Sequence, residues 1–507
     1  MKLSNSAQMR EIDSHVIEDL YIPGTVLMSN AAGHLAQAAF DHLTPGGCVA
    51  VFCGAGNNGG DGIGAAACLM EKGVTVRVFI IGSIDRLTHD SKEMLRRLES
   101  LGGSLETFAL SSEPAGYISE CEVIIDAIFG IGLNSKLRGD ALAAVETINA
   151  AHAFRISADI PSGVHADTGA VLGTAVNADL TVTFSMAKPG HFIEPGCTFC
   201  GNIRISDIGI PHDIVDGAGT HVFAVMPEDV SLPRRRPDSH KGDYGRCLIV
   251  AGSTGYTGAP ALAARAASRM GAGLVYLGVP EPIYEIMAVK LDEEMPFPLP
   301  GDKNGRLSAN AAGEILRRAA QCDVCLIGPG LGKSPEITEL VLSVIRLAET
   351  PIVLDADGLN AIADNTGILE EATGPLILTP HPGEFVRLGG DLASGDRLRA
   401  ARTFAHEHGC ILVLKGHRTI TAFPDGTAYI NTTGGPAMAK GGSGDVLAGM
   451  IAALIGQKLP LEDAVKTAVY LHGLAGDMCA AAYGEYPVIA GDIISMLSKA
   501  TQSVTLQ

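Results

Sequence analysis

No stretch of about 18 consecutive apolar residues occurs in this 507-residue chain, so no membrane-inserted helix is indicated. The opening residues are polar throughout and lack the apolar core of a signal peptide, so export is not indicated either. Basic residues are in deficit. The 37 Lys and Arg against 56 Asp and Glu give a net charge of −19, which disfavours nucleic acid and anionic membranes as partners. The 11 cysteines are odd in number and scattered, a pattern of reduced thiols rather than a disulfide framework, and the expected compartment is the cytoplasm. Tryptophan is absent, as are low-complexity tracts and any repeat period. Glycine, by contrast, is abundant at 62 residues, and alanine-rich stretches separate short β-branched runs, which is the profile of an α/β protein. At 47% hydrophobic residues the chain can bury two or three cores, and two domains are the default.

Residues 7–20 place Met9, Ile12, Val16, Ile17 and Leu20 on one face of an amphipathic helix. Apolar runs at 48–53, 75–81, 122–129, 154–160, 180–186 and 203–208 follow, several of them separated by helical stretches such as 62–72 and 91–101. This alternation predicts a mostly parallel sheet with functional residues at the strand C-termini. Residues 225–244 lose all apolar periodicity and read as a linker. A second series of strands then begins at 247–251 and continues through 274–279, 324–327, 352–355, 376–378 and 411–414. A hairpin at 418–423 and 427–431 follows around Pro424-Asp425-Gly426.

Two glycine-rich turns, each with an aspartate, carry the chemistry. Gly54-Ala55-Gly56-Asn57-Asn58-Gly59-Gly60-Asp61-Gly62 follows the first strand and formally matches a dinucleotide fingerprint. Asp61, however, would stand where a pyrophosphate needs positive potential, and the next strand ends without the acid that binds a ribose hydroxyl. The asparagines and the acid instead suggest a polar pocket that tolerates a cation. Asp126 in Asp126-Ala127-Ile128-Phe129-Gly130 and Asp159 in Asp159-Ile160-Pro161-Ser162-Gly163 close two further strands. An unpaired buried charge costs several kcal/mol, so three acids at three strand ends point to one site. Asn58, Asp126 and Ser162 suit a hard cation, Asp159 or Asp61 a proton shuttle, and Gly130-Ile131-Gly132-Leu133 a second backbone clamp. A helix or turn cap is the plain alternative for each aspartate taken singly.

The second turn, Gly441-Gly442-Ser443-Gly444-Asp445, runs into an apolar helix. Its consecutive N–H groups suit a phosphoryl anion while Asp445 exchanges a proton with a substrate oxygen. Lys415-Gly416, with Thr419 close behind, ends an apolar strand and can face a nucleotide, a surface lysine before a turn being the plain alternative. Gly328-Pro329-Gly330-Leu331-Gly332-Lys333-Ser334 lacks the first glycine of a phosphate-binding P-loop, because Ile327 holds that register. Gly330 there permits close approach of substrate. Thr379-Pro380-His381-Pro382-Gly383-Glu384 reads as a rigid turn aiming His381, and Tyr256-Thr257-Gly258-Ala259-Pro260 lines the same cleft. The pairs Cys197-x-x-Cys200 and Cys322-x-x-Cys325 are too far apart in the chain to favour a zinc or redox centre.

In this order the motifs closely resemble those of the bifunctional NAD(P)H-hydrate repair enzymes, over nearly the whole chain. The resemblance implies a Rossmann-like three-layer domain over residues 1–225 that epimerises hydrated NADH or NADPH. It implies a ribokinase-like α/β domain over 226–507 that dehydrates the S epimer with ADP, giving AMP, in preference to ATP. It places hydrated cofactor on Asn57, Asn58, Gly59, Gly60, Asp61, Gly130, Ile131, Gly132 and Leu133, with Asp159 as the substrate-contacting acid. Asn58, Asp126 and Ser162 would hold potassium. In the second domain it places substrate near Ala259, Gly330, His381 and Asp445, and nucleotide, with magnesium, near Lys415, Gly416, His417, Arg418, Thr419 and Gly444. A homo-oligomer is the expected assembly.

That chemistry suits the residues. Hydroxide is a poor leaving group, and phosphorylating the hydroxyl makes its elimination easy, with Asp445 taking the hydroxyl proton. Two rivals are a small-molecule kinase of the ribokinase type, whose phosphorylated product would be stable, and a first domain reduced to a binding module.

Overall fold

The computed structural model describes residues 1–108 and 115–506. The chain forms two compact units, Lys2–Val222 and Phe223–Gln507, the latter joined by Met1. Among the described residues no helix is long and apolar enough to cross a membrane.

The first unit is built on a parallel sheet of β1 (Cys48–Cys53), β2 (Thr75–Ile80), β3 (Leu105–Thr107), β4 (Val123–Ala127), β5 (Phe154–Ala158), β6 (Leu180–Phe184) and β7 (Asn202–Ser206). Their order is β3-β2-β1-β4-β5-β6-β7. The central strands β1 and β4 are largely apolar runs, and β5 and β6 bury even Ser157, Thr181 and Thr183, because helices cover both faces. The order turns outward in both directions from the β1/β4 pair, and in such sheets the crevice beyond the strand C-termini at that point is where ligands bind. The turns after β1 and β4 are those that begin at Gly54 and Ile128.

The second unit repeats the logic on a larger scale. Its strands are β8 (Val222–Ala224), β9 (Ser231–Leu232), β10 (Arg246–Val250), β11 (Leu274–Pro280), β12 (Met295–Leu299), β13 (Val324–Ile327), β14 (Ile352–Leu354), β15 (Leu376–Leu378), β16 (Ile411–Leu414), β17 (Ile420–Ala422), β18 (Ala428–Ile430) and β19 (Thr505–Leu506). The main sheet runs β12-β11-β10-β13-β14-β15-β16-β17-β18-β8, and β9 pairs separately with β19. Strands from β12 to β16 are parallel, and β16, β17 and β18 are antiparallel as the hairpin signal predicts.

Three readings need correction. Residues 225–244 are not a free linker, since Val225 and Val230 are buried in the core of the second unit and β9 pairs with β19. Met295-Pro-Phe-Pro-Leu299, not anticipated as a strand, is β12, and its prolines are accommodated because it pairs only with β11 at the sheet edge. Both glycine-rich turns yield to helix earlier than expected, at Asn57–Glu71 and Ser443–Gly456, so Asp61 and Asp445 sit in first turns or close to them.

Candidate active sites

In the first unit, glycine governs how closely the crevice walls approach. A Cβ on Gly59 would lie 1.8 Å from the Gly54 carbonyl oxygen, and one on Gly54 would lie 2.0 Å from that of Ile128. Helix Asn57–Glu71 is thereby pressed against the ends of β1 and β4, and its N-cap, Gly56, makes no side-chain cap, leaving first-turn N–H groups open. The crevice opens into a cavity of about 800 Å³. Asn57, Asn58, Asp61, Gly130, Ile131, Gly132, Leu133 and Asp159 all line it. Gly59 and Gly60 do not: a Cβ on Gly60 would strike Ser91 and Met28, so these two serve helix packing.

Asp159 adopts a left-handed backbone, φ 65°, rare for a residue with a side chain. Its N–H donates to Val182 O at 2.7 Å and its carbonyl accepts from His191 Nε2 at 2.8 Å. Its carboxylate accepts from Thr183 Oγ1 at 3.1 Å and from Lys188 Nζ, itself bonded to Thr183 Oγ1 at 2.9 Å. Burial alone would raise the Asp159 carboxyl, but the Lys188 ammonium overcomes this and holds it below the usual range. Burial drives the other acids the opposite way. Asp61 is pushed well up by burial and by Asp159 and Asp13. Asp13, on the first helix, is raised to about 6 by burial, with Lys188 opposing and Asp159 adding to the rise. Burial lowers His191 to about 4, so the ring is neutral. Lys188, Asp13 and His191 were missed from the sequence, although Lys188-Pro189-Gly190-His191 follows β6 as a conspicuous polar turn.

Asp126 and Ser162 are not among the cavity-lining residues. Asp126 is 1% exposed, and its oxygens accept from Ser157 Oγ at 2.9 Å, Ser162 N at 2.8 Å, Ser162 Oγ at 2.6 Å and Ile128 N at 3.3 Å. Phe129 N donates to Ser162 Oγ at 2.9 Å, so this network fixes the loop that presents Gly130. A Cβ on Gly130 would lie within 3.2 Å of both Asp159 and Asn58. Asn58 Nδ2 is buried without a partner.

In the second unit the corresponding crevice lies at β10/β13. A Cβ on Gly328 would sit 1.8 Å from Asp355 O, and Gly330, at φ 67°, lies against Tyr256 and Ala259. Ala259 and Gly330 are thus brought together. Asp355 follows β14, Thr379 follows β15 and Lys415 follows β16. Asp355, 1% exposed, accepts from Lys415 Nζ at 2.7 Å and Thr379 Oγ1 at 2.7 Å, with Glu384 at 4.0 Å from the same ammonium. Lys415 is therefore no surface lysine. Burial opposes its charge, but Asp355, Glu384 and Asp445 together raise it.

The Lys415 ammonium lies under the start of helix Ser443–Gly456, 3.3 Å from where a Gly444 Cβ would stand. Gly442, the left-handed N-cap at φ 94°, holds a backbone conformation that a residue with a side chain rarely adopts. Asp445 is raised to about 7, first by burial and then by Asp355 and Asp357, with Lys415 opposing. His381 caps the helix Pro382–Arg387: its Nδ1 accepts from Gly383 N and Glu384 N while Glu384 accepts from His381 N at 2.8 Å. That fixes Nδ1 as acceptor and leaves the exposed Nε2 to carry the proton. The 415–419 loop is held by Arg397, which reaches the carbonyls of Lys415 and His417, and by Arg418, which donates to Thr432 O. Thr419 Oγ1 donates to Gly416 O at 2.9 Å. Asp355 was missed, although an acid ending a buried strand is the signal that marked Asp126.

Comparison with known proteins follows the same division. The family described as YjeF-related protein N-terminus matches residues 24–190, and the one described as NAD(P)H-hydrate dehydratase matches residues 247–499. A bifunctional NAD(P)H-hydrate repair enzyme of Moorella thermoacetica is 40% identical over 512 aligned residues, spanning 98% of this chain and 96% of its own. One from Thermofilum pendens is 38% identical, spanning 99% and 97%. A ribokinase-like superfamily protein of Enterococcus faecalis superimposes with a TM-score of 0.50 at 26% identity, covering 56% of this chain and 97% of its own. With both halves matched in the same order along the whole length, the chain belongs to the family of bifunctional NAD(P)H-hydrate repair enzymes.

Proposed function

We propose that the first unit interconverts the R and S forms of hydrated NADH and NADPH, and that the second dehydrates the S form using ADP, giving AMP, in preference to ATP. The observation that carries this reading is that each crevice sets a carboxylate of tuned protonation beside an open helix N-terminus.

Epimerisation breaks and remakes the carbon–oxygen bond of a hydroxyl-bearing ring carbon. The neighbouring ring nitrogen pushes its lone pair in as hydroxide leaves, and a carboxylic acid protonates that hydroxide to water. Asp61, held protonated, is the acid, and Asp159, held ionised by Lys188, takes the proton from water returning to the opposite face. Asn57 and the 130–133 loop orient the substrate. Potassium fits beside this wall: Asp126 is a buried carboxylate with no basic side chain among the groups that shift it, and Asn58 and Ser162 add oxygens. The ion would supply compensating positive charge there, held by those three residues.

In dehydration Asp445 takes the proton of the substrate hydroxyl as its oxygen attacks the terminal phosphorus of the nucleotide. The phosphate then departs with the carbon–oxygen bond, and loss of a proton from the adjacent ring carbon restores the double bond. Ala259, Gly330 and the Nε2 face of His381 position the substrate. Lys415, Gly416, His417, Arg418, Thr419 and Gly444 take the nucleotide, the Lys415 ammonium facing its phosphates. Asp357, which also raises Asp445, forms no ion pair among the described residues and fits a divalent cation, and magnesium held there would offset phosphate charge.

The test is recovery of near-ultraviolet NADH absorbance from mixed R and S hydrate with magnesium, potassium and either ADP or ATP. Full recovery, faster with ADP, is expected. Recovery of the S portion alone would remove the epimerase, and a stable phosphorylated product would make the second unit a kinase.

A further inference from the structure

The cavity of the first unit is divided in charge across the sheet. Asp159 follows β5 and Lys188 follows β6, and with Asp61 and Asp13 they form its acidic side. The other side is built by the residues after β2, and Arg86 is the cation there. From β5 through β4 and β1 to β2 is three strand steps, which sets the two sides roughly 14 Å apart, a span that an extended dinucleotide covers. Of the basic side chains that line the cavity, Lys188 is spent on Asp159 and Arg10 donates to Ile131 O at 3.4 Å. Among the described residues the Arg86 guanidinium makes no hydrogen bond or ion pair. Asp85 does not line the cavity. Asp90 does, but its carboxylate meets His89 Nδ1 at 3.2 Å and lies against Gly24, at the positive end of helix Gly24–Phe40. Thr88 starts helix His89–Ser100 on the same side, so a second helix N-terminus adds to the positive potential around Arg86.

The hydrated cofactor has an uncharged reacting ring at one end and its phosphates away from it. The ring suits the acids beside β5, and phosphate suits the side that bears Arg86. Hydrated NADPH differs from hydrated NADH by a phosphate on the 2′ oxygen of the adenosine ribose. In doubly wound sheets the turn after the second strand meets that oxygen, with an acid for a hydroxyl or an arginine for a phosphate. Here β2 runs into Ile81-Gly82-Ser83 without an acid, and Arg86 closes the short turn that follows. We propose that Arg86 binds the 2′-phosphate of hydrated NADPH and so lets the first unit discriminate between the two hydrates, an assignment that rests on the epimerisation proposed for this unit.

The test is chromatographic separation of R and S hydrates after incubation with the full chain, without nucleotide so that dehydration does not intervene. In Arg86→Gln the KM for hydrated NADPH should rise roughly 10–100-fold at unchanged kcat, as loss of a charge-assisted pair requires, while that for hydrated NADH moves less than about twofold. Arg86 is exposed, so the variant should keep the Tm of the unaltered chain. An equal change for both hydrates, or none for either, overturns the proposal. Should the unaltered chain epimerise neither hydrate, the epimerase reading fails and calorimetric binding of the two hydrates decides the assignment: weaker binding of hydrated NADPH alone in Arg86→Gln upholds it, and weakening of both or of neither overturns it.

Discussion

The two crevices share a sequence device and use it differently. In the first, the aspartate of the glycine-rich segment, Asp61, is buried among acids and pushed well up, while Asp159, paired with the buried Lys188, is held low. In the second, the motif's own Asp445 lies near neutrality, because the available lysine is engaged by Asp355. One lysine therefore sets an acid's charge directly, and the other leaves its acid poised. A glycine-rich strand-to-helix turn prescribes where an anion can sit, whereas the state of a nearby carboxylate depends on which cation reaches it.

The sharpest way to separate the two sites is to remove each acid. Asp445→Asn should lower dehydratase kcat by about 10²–10⁴-fold and spare epimerisation, and Asp159→Asn should do the converse. Following recovery of S and R hydrate separately checks both. Removing the lysines tests the comparison itself: Lys188→Met and Lys415→Met each strand a buried carboxylate, at about 3–5 kcal/mol in urea unfolding. The loss should be larger at Lys188, whose side chain is 1% exposed against 18% for Lys415.

The pH profiles should diverge. Asp445 must be ionised to accept a proton, so dehydratase kcat/KM should fall about tenfold per unit below its value of about 7. Epimerisation needs Asp61 protonated and should fall instead as pH rises far enough to ionise it. The smallest effect is on stability. The folded Asp445 sits above its ordinary 3.8, so its contribution is present below that value and lost as pH rises through about 7. Asp445→Asn should therefore raise the Tm at pH 8 by an amount worth about 1–2 kcal/mol, discounted for the solvent that reaches the carboxyl, and the gap should close by pH 4. Thermal scans across that range check it.

Much of the fold was legible. The runs at Cys48–Cys53, Val324–Ile327 and Ile411–Leu414 are strands with the expected bounds, because buried parallel strands read as continuous apolar segments. The edge strand Met295–Leu299 was not, since its prolines obey the rule for edges and nothing in the sequence marks an edge. Among site residues, Asn57, Asn58, Asp61, Gly130 and Asp159 converge on one cavity as their strand-end positions suggested. Gly59 answers to the close approach of the Gly54 turn and Gly60 to helix packing against Met28 and Ser91, neighbours distant in the chain.

The sequence by itself determined the α/β alternation, the order of the two units and the strand ends where anions and acids gather. These follow from period, apolar length and glycine placement, all local properties of the chain. Only the tertiary structure decided which acids are charged. Lys188 comes to Asp159 across 29 residues and Lys415 to Asp355 across 60, and a carboxyl's protonation depends on spatial distance and burial, which no local pattern encodes.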